Sequence, residues 1–124
     1  MRGRVQVARA VALALGSCVL ARLPPRRLAA VLRLADRDES PDVDARAVAE
    51  RALALSGHLI RHTCYTRGIT RYLLLRPGRH DLLLVFGMDA ATREGHCWIL
   101  LDGKPYLEAE DPAGRFVPVW QVGG

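Results

Sequence analysis

The chain has 124 residues, half of them apolar and a quarter charged, enough for one compact domain with a buried core and too short for two. That composition excludes wholesale disorder, and three unevenly spaced cysteines exclude a disulfide-stapled mini-protein, so reduced thiols in a cytoplasmic compartment are expected. The net charge of +5 is nearly all arginine, Lys104 being the only lysine, and it is scattered among acids without a dense basic stripe; no nucleic-acid partner is expected, and the surplus suits an acidic peptide segment.

The N-terminus, Met1-Arg2-Gly3-Arg4 ahead of an apolar run over 11–21, has the layout of a secretory signal. Arg9 interrupts it, and the run is too short to span a bilayer. Val5, Ala8, Val11, Ala12, Leu15 and Val19 recur at helical spacing, so the segment is read as an internal amphipathic helix, with Cys18 an inert thiol on or near its packing face. Pro24-Pro25 ends it, and Leu28, Val31, Leu32 and Leu34 set the period of a second short helix over 26–34. Residues 36–44 are polar and read as an exposed connection. Ser40 is placed to cap the next helix with Pro41 at its first position; Val43, Ala47, Val48, Ala52, Leu55 and Leu59 would form its inward face as far as about residue 60. Thr63 then caps a helix that begins at Cys64, passes through Ile69, Tyr72, Leu73 and Leu74, and stops at Pro77-Gly78.

Beyond Gly78 the periodicity becomes strand-like. Residues 82–86 and 96–101 read as strands, Asp102-Gly103 as a hairpin turn, 106–110 as the return strand, and 117–119 as an added edge strand. The expected class is α+β, with N-terminal helices over 1–62 and a further helix plus antiparallel sheet over 63–124, in one domain.

A thiol attacks as its thiolate, and a helix N-terminus offers partial positive charge and unpaired amides that favour that form. Cys64 has that placement, and the same amides suit a developing oxyanion. His96, at the start of the central hairpin strand, is the candidate base; Glu108 and Glu110, on the strand folding back beside it, are candidates to orient its ring. A three-residue loop of Asp102, Gly103 and Lys104 would put both glutamates on the face of His96, and a two-residue loop would turn them away.

Cys64-Tyr65-Thr66-Arg67, Leu83-Leu84-Val85-Phe86-Gly87, Gly95-His96-Cys97-Trp98 and Leu101-Asp102-Gly103-Lys104-Pro105 together resemble the transglutaminase-like (papain-like) fold of lasso-peptide leader peptidases. The resemblance is strongest over 64–108. It implies a Cys64 nucleophile, a His96 base and Glu108 as the acidic member of a catalytic triad, with Glu110 and Asp111 as fallbacks. It implies a cysteine protease that removes the leader from a ribosomally made precursor, beside a separate leader-recognition protein and an asparagine-synthetase-like cyclase. The chain departs from the family pattern at Gly68, where serine is usual, and at Cys97, where a small apolar residue is usual. Gly68 inside a helix points to close packing or to a passing substrate backbone, and Trp98 is read as core.

Three other arrangements draw on the same residues. A zinc site from His62, Cys64, His96 and Cys97 needs adjacent strand residues to face one ion, which alternation forbids, so no metal is expected. A non-catalytic peptide-binding module of the same fold would not need the thiol, imidazole and acid together. An amidase or acyltransferase would use the same nucleophile on another acceptor. No nucleotide-binding loop is present, so neither ATP nor any other cofactor is expected.

Overall fold

The computed structural model describes residues 2–35, 44–77, 79, 81–108 and 111–123. Four helices, α1 (Arg2–Leu20), α2 (Pro25–Leu32), α3 (Ala45–Ser56) and α4 (Cys64–Leu75), precede four strands, β1 (Leu82–Met88), β2 (Gly95–Leu101), β3 (Lys104–Pro105) and β4 (Val117–Gly123). The strands form one antiparallel sheet in the order β3-β2-β1-β4. The α+β architecture with helices first is as the periodicity predicts. Among the described residues no helix is long and apolar enough to cross a membrane.

Helix α4 lies on the sheet through Ile69, Tyr72 and Leu75, which meet Leu82 and Leu84 of β1 and Cys97 and Ile99 of β2; Leu28 and Leu32 of α2 close the same core. The approach is close because position 68 has no side chain. A Cβ there would stand 2.8 Å from Cys97 Sγ and 3.1 Å from Leu84 Cδ1. Close packing, rather than a substrate backbone, thus accounts for this glycine. Gly68→Ser gains a few tenths of a kcal/mol in helix propensity but overpacks the interface at about 1–3 kcal/mol, so the unfolding midpoint in urea should fall. Adding Cys97→Ala removes the obstructing sulfur, and the double variant should be more stable than the sum of the two single effects.

The inward faces of α1 and α3 differ from those the apolar period predicts, except at Ala52, which is buried as expected. The buried residues of α1 are Ala10, Ala14 and Ser17, while Val19 is 64% exposed. Those of α3 are Ala49, Ala52, Leu53 and Ser56, while Leu59, beyond its end, is 74% exposed. Small residues let two helix backbones approach each other; Leu53 is buried beside them, while Val19, Leu55 and Leu59 turn outward. Helix α3 also starts later than expected: Asp44 caps it, accepting from the amides of Arg46 and Ala47, and Ser40 and Pro41 lie outside the described residues. In α2 the expected Leu28 and Leu32 are buried, but Leu34 is exposed.

The hairpin after β2 has a two-residue turn, Leu101 pairing with Lys104, and both Asp102 (φ 54°) and Gly103 (φ 74°) adopt the left-handed conformation that a type I′ turn needs. The expected return strand is absent over 106–108, and 109 and 110 lie outside the described residues: β3 ends at Pro105, and among the described residues the pairing extends only to the Tyr106 amide, which donates to the Ile99 carbonyl at 2.9 Å. Strand β4 is longer than expected and pairs with β1, with a register shift between Phe86 and Gly87.

Candidate active site

Thr63 caps α4 as expected, and it does so in a capping box. Its hydroxyl accepts from the Thr66 amide at 3.3 Å, and the Thr66 hydroxyl accepts from the Thr63 amide at 2.8 Å. The Arg67 amide donates to the Thr63 carbonyl at 3.0 Å. Among the described residues, the amides of Cys64 and Tyr65 therefore keep no acceptor, and they are the two beside the thiol. His62 braces this turn from below: its Nδ1 lies 3.0 Å from Thr66 Oγ1 and its Nε2 lies 2.7 Å from Ser56 Oγ, at the end of α3. Burial and the Arg67 guanidinium push the pKa of His62 below its ordinary value, favouring the neutral ring that this bridge requires.

Tyr65 fastens the same helix end to the start of β2. Its ring stacks on Phe86 at 6.1 Å, and its hydroxyl occupies the space that a side chain at Gly95 would need. The residues next to Tyr65 and Gly95 are Cys64 and His96. This contact brings the amino end of α4 to the end of β2 that carries the imidazole.

Along β2, Cys97 and Ile99 point to α4, whereas His96 and Trp98 occupy the opposite face. The His96 ring stacks on Trp98 at 5.7 Å and on Phe116 at 5.0 Å. Trp98 is 3% exposed, in keeping with its reading as core. The His96 Nε2 lies 3.1 Å from Glu108 Oε1, with about a quarter of each side chain exposed. The carboxylate accepts from Nε2–H in this geometry, which leaves Nδ1 free to take a proton.

Glu108 reaches His96 by a route that strand alternation does not provide. The two-residue turn would have directed it away, but the chain leaves the strand at Tyr106, and Leu107, at φ 54°, reverses it. A left-handed leucine is disfavoured, and no residue type at that position signals it. Asp111 caps a short 3-10 turn, accepting from the Ala113 amide at 3.0 Å, and Glu110 lies outside the described residues. Of the two acids among the described residues, Glu108 and Asp111, Glu108 is the one beside the imidazole.

Cys64, His96 and Glu108 line one cavity of about 160 Å³, along the stretch of β2 beyond the short β3, together with Arg67 and Leu107. Among the described residues no hydrogen bond joins Cys64 Sγ to His96. The other thiols are differently placed: Cys18 donates to the Leu15 carbonyl on α1, while Cys97 is buried against Gly68, and its pKa is pushed far up by burial and by the charges of Cys64 and Glu108. Among the described residues no group of three His, Cys, Asp or Glu is placed to hold a metal ion. Arg67, Arg71 and Phe116, all bordering this region, were not anticipated as site residues; the Cys-x-x-Arg spacing was the available signal for the first.

Comparison with protein-family models matches residues 7–121 to the transglutaminase-like superfamily. The chain belongs to the transglutaminase-like superfamily. No curated protein and no solved structure matches it. The transglutaminase-like superfamily contains cysteine proteases and acyltransferases, enzymes compatible with a thiol at a helix N-terminus facing a cavity shared with a histidine.

Proposed function

We propose that this transglutaminase-like chain is a cysteine peptidase that removes the leader from a ribosomally made precursor during lasso-peptide biosynthesis. The observation that carries the reading is the cavity bordered by Cys64, His96 and Glu108, with Nε2 of the imidazole engaged by the carboxylate. The resemblance over 64–108 supports the substrate class.

In the reaction, Nδ1 of His96 takes the thiol proton as Cys64 Sγ bonds to the peptide carbonyl carbon, and the amides of Cys64 and Tyr65 receive the oxyanion. Collapse of the tetrahedral species breaks the C–N bond, and the imidazolium gives its proton to the departing amine. The acyl group now sits on sulfur as a thioester. Water, deprotonated by the same imidazole, attacks that carbonyl, and the thiolate leaves and is reprotonated. Glu108 holds the ring in the tautomer with hydrogen on Nε2 and stabilises the imidazolium. A separate leader-recognition protein presents the precursor, an asparagine-synthetase-like cyclase takes the released core, and all three act in the cytoplasm.

The test is incubation of the protein with a precursor peptide and its recognition protein in heavy-oxygen water, read by mass spectrometry. One cut with a labelled new carboxylate is expected; an intact precursor, or acyl transfer to an added amine in place of hydrolysis, overturns the assignment. Glu108→Ala should lower kcat by roughly 10- to 100-fold, less than loss of the imidazole itself, because the base survives without its orienting partner. Equal loss from Glu108→Ala and His96→Ala would contradict an orienting role.

A further inference from the structure

Beside the catalytic cavity lies a larger one of about 620 Å³, between the end of α3 and the outer face of α4. Its size is in the range of roughly 300–1,000 Å³ common for ligand sites. Arg61, Arg67, Arg71, His58 and His62 line it, and Glu50 is its single acid. Arg67 and Arg71 line both cavities, so the two are contiguous along α4. Cys64, Arg67 and Arg71 stand at helical spacings of three and four, on one stripe of the helix.

The arginines are not equivalent. Glu50 holds Arg71 with two hydrogen bonds, at 2.8 and 3.1 Å, and the guanidinium lies 5.7 Å from the Tyr106 ring centroid. Its charge is balanced and its fork is occupied. Arg61 and Arg67 have no acidic partner among the described residues, and both are exposed at the cavity. His62 is already tied to Ser56 and Thr66. The cavity thus holds two guanidinium groups whose donor forks await an anion, and one of them is a single helical turn from the nucleophile.

We propose that this cavity binds a carboxylate side chain of the peptide substrate, an Asp or Glu a few residues from the bond that Cys64 attacks, with Arg67, which borders both cavities, and Arg61 as its contacts. The inference rests on the peptidase reading for the identity of the substrate, but the preference for carboxylates does not depend on turnover. Arg67 and Arg61 are binding residues here and take no part in bond cleavage.

The test follows protection of Cys64 from alkylation by iodoacetamide, a neutral reagent, resolved by mass spectrometry so that Cys18 serves as internal reference. Two blocked peptides are compared as protectants, identical except for a Glu-Glu or a Gln-Gln pair. The Glu-Glu peptide should protect at about tenfold lower concentration, as a charge-assisted contact implies, and 0.5 M salt should remove the advantage. In the Arg61→Gln/Arg67→Gln protein the two peptides should protect within about twofold of each other, and Arg67→Lys should restore part of the difference because it returns the charge without the fork. Equal protection by both peptides in the unaltered protein, or a Glu-Glu advantage that survives removal of both arginines, overturns the proposal. Discrimination in this assay together with an intact precursor in the presence of the recognition protein supports the carboxylate site and sinks the peptidase reading, whereas precursor hydrolysis without discrimination does the reverse.

Discussion

Replacing Cys64 with alanine is expected to reduce peptide cleavage by at least about 10⁴-fold, to the level of residual binding effects, as deletion of a nucleophile does when base and oxyanion donors act only through it. The fold should be untouched. Cys64 is the first residue of α4, half-buried at the cavity mouth, and alanine is the better helix former. The capping box runs between Thr63 and Thr66 and does not involve the thiol. Circular dichroism and the thermal midpoint should therefore match the unaltered protein while product formation vanishes. Undiminished turnover by Cys64→Ala would mean that the sulfur takes no covalent part, and neither Cys18, bonded within α1, nor the buried Cys97 is placed to replace it.

His96→Ala is expected to cost about 10³-fold in kcat, within the range attributed to a positioned acid–base group. The alanine variant has a second consequence, because the imidazole stacks on Trp98 and Phe116 and its loss uncovers both rings. His96→Gln separates the two effects: the amide fills most of the space, keeps a hydrogen bond to Glu108 and cannot accept a proton from a thiol. The glutamine variant should retain the thermal midpoint and share the catalytic loss. Its Cys64 should also react more slowly with iodoacetamide at neutral pH, since the thiol has lost its proton acceptor. Recovery of activity in His96→Gln would assign the histidine a packing role only.

Much of this site is legible in the sequence because its parts are local. Thr63 followed by Cys64 reads as cap and first helical residue, and Asp102-Gly103 reads as a hairpin turn, whose two-residue length and left-handed residues the structure supplies. The apolar block over 82–86 is a strand because it is too short for a helix. What escapes is whatever depends on a partner segment. Among the described residues the inward face of α1 is set by Ala10, Ala14 and Ser17 and that of α3 by Ala49, Ala52, Leu53 and Ser56, and of these the apolar period picks out Ala52 alone. Resemblance places Glu108 beside His96, while register alone leaves its side open; the two-residue turn that forms would direct it away, and a single left-handed leucine at 107 reverses the outcome. The second cavity on the flank of α4, which Arg67 borders, is not legible for the same reason, since it exists only after α3 has packed.

The contact between Gly68 and Cys97 ties two positions of this chain to each other. They are partners across one interface, where a hydrogen in place of a side chain on the helix makes room for sulfur on the strand. Serine opposite a small residue occupies comparable room the other way round. A lineage passing from one pairing to the other would cross either a crowded or a hollow intermediate, so the two positions should change together among relatives, while the triad residues around them stay fixed.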